Sequence, residues 1–167
     1  MCGKGKSFLG GASLIVLAMC LSPAFANPEG AIVVHGDVSL KQAPKTLDIY
    51  QKSNKAVVDW RKFDVEVDET TNFHQPSNKS IILNRVKSND PSKILGAVNA
   101  NGNVVLVNPN GVLFGKDSKV DVNGLVATTS DIDNKAFLQK DKLRFDKPGK
   151  PTPPSSIKDA SLPRKPV

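Results

Sequence analysis

Between Asn99 and Thr129 the chain turns too often for helices and too soon for long strands. Val104-Val105-Leu106-Val107 is an unbroken aliphatic run, and Asn108-Pro109-Asn110-Gly111 turns it. Val112-Leu113-Phe114 resumes and Gly115 stops it; Val120-Asp121-Val122 alternates, Asn123-Gly124 turns, and Leu125-Val126-Ala127 follows. Branched aliphatics favour extended backbone, whereas Asn, Gly and Pro favour tight turns. Strands this short and turns this frequent suit a coil in which each strand stacks on the one a turn earlier. The same rhythm runs upstream. Leu47–Gln51 alternates, and Phe63–Asp68 alternates with period two, placing Val65 and Val67 opposite Asp64, Glu66 and Asp68. Ala31–Val38 reads as a strand pair about Gly36-Asp37.

The apolar runs start at Val57, Ile81, Val104 and Leu125, separated by 24, 23 and 21 residues. One turn of a parallel β-solenoid takes about 20–25 residues. A single coil cannot bury its inner side chains; stacked coils, about 4.8 Å apart, bury like on like. With one Trp and one Tyr in 167 residues, the core is aliphatic. Periodicity alone leaves a solenoid and a sandwich both open. A solenoid needs its ends covered. The different rhythm of Ala31–Gln51 suits a cover for the first coil, and nothing as strong follows Thr129.

Both cysteines, Cys2 and Cys20, precede residue 27, so the later chain holds neither disulfides nor thiolate metal sites. The net charge of +7 is uneven. Residues 27–134 carry twelve basic and thirteen acidic side chains, while residues 135–167 carry nine and three. A near-neutral body gives no support to a nucleic-acid surface. Lys4 and Lys6, the apolar Phe8–Leu21, and Ala24-Phe25-Ala26 after Ser22-Pro23 describe a signal peptide cut before Asn27. The apolar stretch is short for a membrane span, which needs about 17–25 residues. A lipoprotein signal ending at Cys20 is disfavoured by the bulky Met19. Each alternative takes the chain out of the cytoplasm.

Trp60-x-x-Phe63 opens a series of ordered blocks. Phe73-x-Gln75-Pro76-Ser77, Leu83-Asn84-Arg85-Val86, Ile94-Leu95-Gly96 and Ala100-Asn101-Gly102 follow. Val107 then leads into Asn108-Pro109-Asn110-Gly111, Phe114-Gly115 and Gly124–Thr129. In this order and spacing they resemble the amino-terminal secretion domain of filamentous haemagglutinin-like exoproteins, the passengers of two-partner secretion (TPS). The likeness is strongest to the high-molecular-weight-adhesin branch and covers roughly residues 30–134. It implies a right-handed parallel β-helix, single-stranded and pectin-lyase-like, with an amino-terminal cap. It implies export by the Sec translocon with signal peptidase, then recognition in the periplasm by POTRA domains of an outer-membrane β-barrel transporter. Asn108 to Gly111 match the family's secretion motif. Their own chemistry also makes a corner: Pro109 fixes φ, and Asn110-Gly111 admit left-handed backbone. Direct recognition and a purely mechanical corner both remain open for this motif. Trp60, Phe63, Gln75, Pro76, Asn84, Arg85, Asn101, Gly102, Phe114, Gly115 and Gly124 are the other residues that carry the resemblance. Family members usually continue into a long repetitive effector region, and the expectation is a secretion domain without it.

The expected division is a signal peptide over residues 1–26, a TPS β-helix domain over 27–137, and a basic, Pro-rich, largely disordered tail over 138–167. Phe137-Leu138 and Leu143–Phe145 suit a last short strand or cap. No catalysis, cofactor or metal is expected. Asp64, Glu66 and Asp68 resemble the carboxylate sets of β-helix polysaccharide enzymes, but lack partners and read as a solvated face. His35 and His74 lack ligand spacing. The function expected is to be recognised and exported, placing the chain in the periplasm in transit and then outside or on the cell surface. The alternative is a short secreted adhesin binding host or bacterial surface glycans.

Overall fold

The computed structural model describes residues 27–140 and 142–149. The signal peptide expected over 1–26, and most of the tail expected over 138–167, lie outside the described residues. The architecture is a parallel β-solenoid of about four turns. Its strands are β1 (Ile32–His35), β2 (Val38–Ala43), β3 (Thr46–Gln51), β4 (Lys55–Trp60), β5 (Thr70–His74), β6 (Ile81–Val86), β7 (Ser92–Ile94), β8 (Ala97–Val107), β9 (Val112–Phe114) and β10 (Lys119–Thr128). One helix, α1 (Asn134–Gln139), follows.

The strands form three faces. On the first, β3, β5 and the opening halves of β8 and β10 pair in parallel. The second stacks β4, β6 and the closing halves of β8 and β10. The third holds β7 and β9, with a single bridge from Val65 to Ile94 above them. On the second face Val57, Leu83, Val105 and Val126 form one in-register column. The run starts therefore identify the right coils, but the register runs 26, 22 and 21 residues. Ile81 lies opposite Lys55 and Asn103, not Val57 and Val104. The first coil turns through Ser53-Asn54, whereas the second needs the longer Gln75–Ser80, and this unequal corner shifts the count.

The first face alternates because only its inner side is covered: Leu47, Ile49 and Phe73 are buried, while Tyr50 and His74 are exposed. The second face is buried on both sides, hence its continuous apolar runs. Inward, Ala56, Val58, Ile82, Val86, Val104 and Leu106 fill the shaft with Trp60 and Phe63. Outward, Val57, Leu83, Val105 and Val107 meet Ile132 and Phe137. Leu143 and Phe145 pack against that outer cluster. The packed body thus runs past the boundary expected at 137/138, and this cover lies along the flank rather than over the end.

Two early expectations need correction. β1 and β2 do not pair with each other. β1 runs antiparallel to β4 and β2 antiparallel to β3, so together they cap the first coil on two faces. Gly36, at φ 90°, makes the corner between them; a Cβ there would lie 2.5 Å from Ser53 Oγ and 2.8 Å from the Lys55 carbonyl oxygen. Phe63–Asp68 is not a strand: Val65 alone bridges to Ile94, and a turn follows it. Glu69 N–H donates to the Glu66 carbonyl, and Val67 projects into solvent at 71 % exposure. Asp64 is buried at 4 %, because Lys62 Nζ lies 2.8 Å away and Lys93 N–H donates to it at 2.8 Å.

Candidate functional site

The Asn-Pro-Asn-Gly segment joins β8 to β9 at the corner between the second and third faces. Asn108 at its start is wholly buried. Its Nδ2 donates to the Asp90 carbonyl and to Ser92 Oγ, both at 3.0 Å, in the coil before. Its Oδ1 accepts Asn110 N–H at 2.9 Å and Asn110 Nδ2 at 3.2 Å. Its backbone N–H donates to the Thr128 carbonyl at 3.0 Å, in the coil after. One side chain and its backbone therefore join three successive coils. Asn110 Nδ2 also reaches the Ser88 carbonyl at 2.8 Å. Gly111 N–H closes the turn on the Asn108 carbonyl at 3.0 Å, and Ser92 N–H donates to the Gly111 carbonyl. Among the described residues only Gly30, Gly36 and Gly111 have positive φ; Gly111 stands at 109°. Asn110 is not left-handed, contrary to expectation: its amide is held by Asn108 and Ser88 instead. Every polar group of Asn108 is thus satisfied within the fold. Pro109, Asn110 and Gly111 are half-buried.

The other resemblance residues occupy equivalent structural posts. Trp60 Nε1 donates to Asn84 Oδ1 at 2.9 Å inside the shaft, and Asn84 Nδ2 donates to the Val105 carbonyl. Phe63 packs edge-on against Trp60, centroids 5.5 Å apart. At the corner between first and second faces, Gln75 N–H donates to Asn101 Oδ1 and Asn101 Nδ2 returns a bond to the Gln75 carbonyl, each at 2.7 Å. Gln75 Nε2 donates to Gln51 Oε1 at 3.0 Å, linking the first two coils. Gly102 passes under that amide; a Cβ would come within 2.6 Å of Gln75 Oε1. Gly124 continues the corner beneath Asn103, and Gly115 lies against Leu95. Pro76 is exposed at its corner, and Phe114 is 39 % exposed.

Arg85 does something its sequence context did not suggest. It points outward from β6 and gathers the segment after β10. Nε lies 2.8 Å from Asp131 Oδ2, Nη1 lies 3.2 Å from Asp59 Oδ1, and Nη2 donates to the Ile132 carbonyl and Asn134 Oδ1. Lys55 Nζ donates to the carbonyls of Phe137, Leu138 and Lys140 at the end of α1. Asp133 caps the helix start by accepting from Lys135 and Ala136 N–H. Those backbone donors, Ala136 first, hold its carboxyl below the usual range.

Sequence reasoning also missed a polar column on the outer first face. Asp48, Asn72, Asn99 and Asp121 stand in register. Asn99 donates to Asn72 Oδ1 and Asn72 to Asp48 Oδ1. His74 Nε2 lies 2.9 Å from Asp48 Oδ1 and stacks on Tyr50 at 4.5 Å. The His74 hydrogen bond, then that of Asn72, lowers the Asp48 pKa. An open groove lies beside this column, lined by Asn72, His74, Gln75, Asn99, Asn101 and Asp121. The signal was present as acids and amides at coil spacing, but needed the true register to be seen. No cluster of three or more His, Cys, Asp or Glu side chains able to hold a metal occurs among the described residues.

Comparison with known proteins joins these posts to one family. A family model described as the TPS secretion domain matches residues 24–157. A heme/hemopexin-binding protein of Haemophilus influenzae is 37% identical over 126 residues, covering 72% of this chain and 14% of that protein. Its counterpart in strain Rd is 35% identical over 125 residues, with the same coverage. The chain thus spans about one-seventh of these relatives' length. The crystal structure of the HMW1 secretion domain from Haemophilus influenzae superposes with a TM-score of 0.64 at 35% identity, covering 67% of this chain and 30% of that one. The chain belongs to the TPS secretion domain family, on its high-molecular-weight-adhesin branch.

Proposed function

We propose that this chain is the address module of a two-partner secretion exoprotein. A signal peptide over residues 1–26 delivers it through the Sec translocon, and signal peptidase cuts before Asn27. POTRA domains of an outer-membrane β-barrel transporter then recognise the following domain and pass it outward. The observation that carries this reading is the family match over residues 24–157, which spans the cap, every coil and the flank cover. The buried state of Asn108 supports a mechanical part for the secretion motif: it sets the corner and hence the surface around it. The test is co-expression with the partner transporter. Asn108→Ala lowers release into the medium together with thermal stability, whereas wild-type release depends on the transporter. Release that is equal with and without the transporter would remove the reading.

A second reading is adhesive. The groove beside the Asp48–Asp121 column presents amides, carboxylates and an imidazole at coil spacing, groups suited to the hydroxyls of a surface glycan. Binding of the exported chain to a panel of neutral oligosaccharides, lost in Asn99→Ala, tests it.

A further inference from the structure

Among the described residues the last rung of the stack is β10, which pairs only with β8, so its other edge is open. The groups on that edge follow from the register. Thr128 pairs with Val107 and its carbonyl accepts from Asn108 N–H, so the backbone groups of Thr128 face β8. By alternation those of Val126 and Gly124 face β8 too. The N–H and C=O of Leu125 and Ala127 point away along the solenoid axis, unpaired in the ladder. Side chains divide the other way. Leu125 and Ala127 continue the inner columns below Val104 and Leu106, and Val126 continues the outer column below Val105.

The end of the shaft is also apolar. A depression there is lined by residues including Val98, Val104, Leu106, Phe114, Val120 and Leu125. Phe114, Leu125 and Val126 are each 39 % exposed. Proteins keep free edges apart with charge, proline or bulges, and Gly124-Leu125-Val126-Ala127-Thr128 has no charge and no proline. The residues that follow the described ones, Lys150-Pro151-Thr152-Pro153-Pro154, contain three prolines without the N–H that a ladder strand donates.

We propose that this edge pairs with the same edge of a second copy, antiparallel, about a two-fold axis through Val126. The register of the edge complements itself. Leu125 stands opposite the partner's Ala127 and the reverse, and each such pair exchanges both N–H···O bonds. Both are inward residues, so the two shafts join apolar end to apolar end. Val126 meets the partner's Val126 as a non-hydrogen-bonded pair with Cα atoms about 4.5 Å apart. The contact is isologous and uses up both edges, giving a closed dimer and no fibre.

The test uses the exported chain, purified without any transporter. Sedimentation should show the mass rising from monomer to dimer with concentration. Val126→Cys should form a disulfide dimer on mild oxidation, since the Cα spacing falls within the roughly 4.4–6.8 Å that a disulfide spans. Leu125→Cys alone should not, while Leu125→Cys mixed with Ala127→Cys should. The wild-type chain, whose cysteines both precede residue 27, supplies the background. Val126→Lys, with an unchanged circular dichroism spectrum, should sediment as monomer. A monomeric wild-type mass at every concentration overturns the proposal. So does a dimer that survives Val126→Lys, or equal cross-linking from Leu125→Cys alone and Val126→Cys alone.

Discussion

Asn108 shows how one residue type can serve a corner. Its carboxamide supplies two donors upward and two acceptor positions for its own turn. Asn108→Ala leaves the Asp90 carbonyl and Asn110 N–H without these partners, at a cost of roughly 1–3 kcal/mol; chemical denaturation measures it. The motif was legible as a corner because Pro109 and Gly111 have stereotyped backbone preferences. That the corner spans three coils was not legible, since it depends on which residues stand above and below. Asp48 gives a pH test at the same scale. Its folded pKa lies below the ordinary value, so its contribution is present above the unfolded pKa and is lost as pH falls through the folded one. Asp48→Asn should flatten the acid limb of the stability profile by removing that contribution, and urea titrations across acidic pH check it.

At the scale of elements, the second face and α1 depend on each other. Phe137 is wholly buried against Val57, Leu83, Val105 and Val107. Phe137→Ala should cost about 3–5 kcal/mol, with the loss read from denaturant midpoints. Asp133, with a lowered pKa, anchors the helix start above the unfolded pKa and releases it as pH falls through the folded value. Protection of the Lys135 and Ala136 amides, taken relative to their intrinsic exchange rates at each pH, should therefore fall in acid before that of the solenoid core does. The continuous runs at Val57, Ile81 and Val104 announced a doubly buried ladder, yet the cover was hard to read. Phe137 and Leu143 lie among lysines, and their partners on the second face are 30 or more residues away. Arg85 carried no visible sign that Asp131 and Asn134 would be its partners.

For the molecule as a whole, stability rests on stacked aliphatic rungs and hydrogen-bonded corners. Thermal unfolding of the exported chain should be unchanged by reductant, because Cys2 and Cys20 both precede residue 27. A shift on reduction would show that these two cysteines persist and pair. The solenoid was legible from repeats because each coil must bury its side chains against the next. The cap was legible only as a break in rhythm: β1 and β2 lie along separate faces, and a hairpin of the same length reads alike. The absent charge on Gly124–Thr128 was in plain view, but its meaning required knowing that β10 is the last rung among the described residues.

The segment after β10 leaves the shaft at Thr129, crosses the flank, and comes back to its starting point. Asp131 and Lys147 bridge its neck, and a Cβ on Gly149 would fall 2.4 Å from the Thr129 carbonyl oxygen. A detour that closes on itself advances the winding by nothing. Foreign sequence spliced beside the exposed Lys142 would hang from the side like a pennant, leaving both ends of the column where they were.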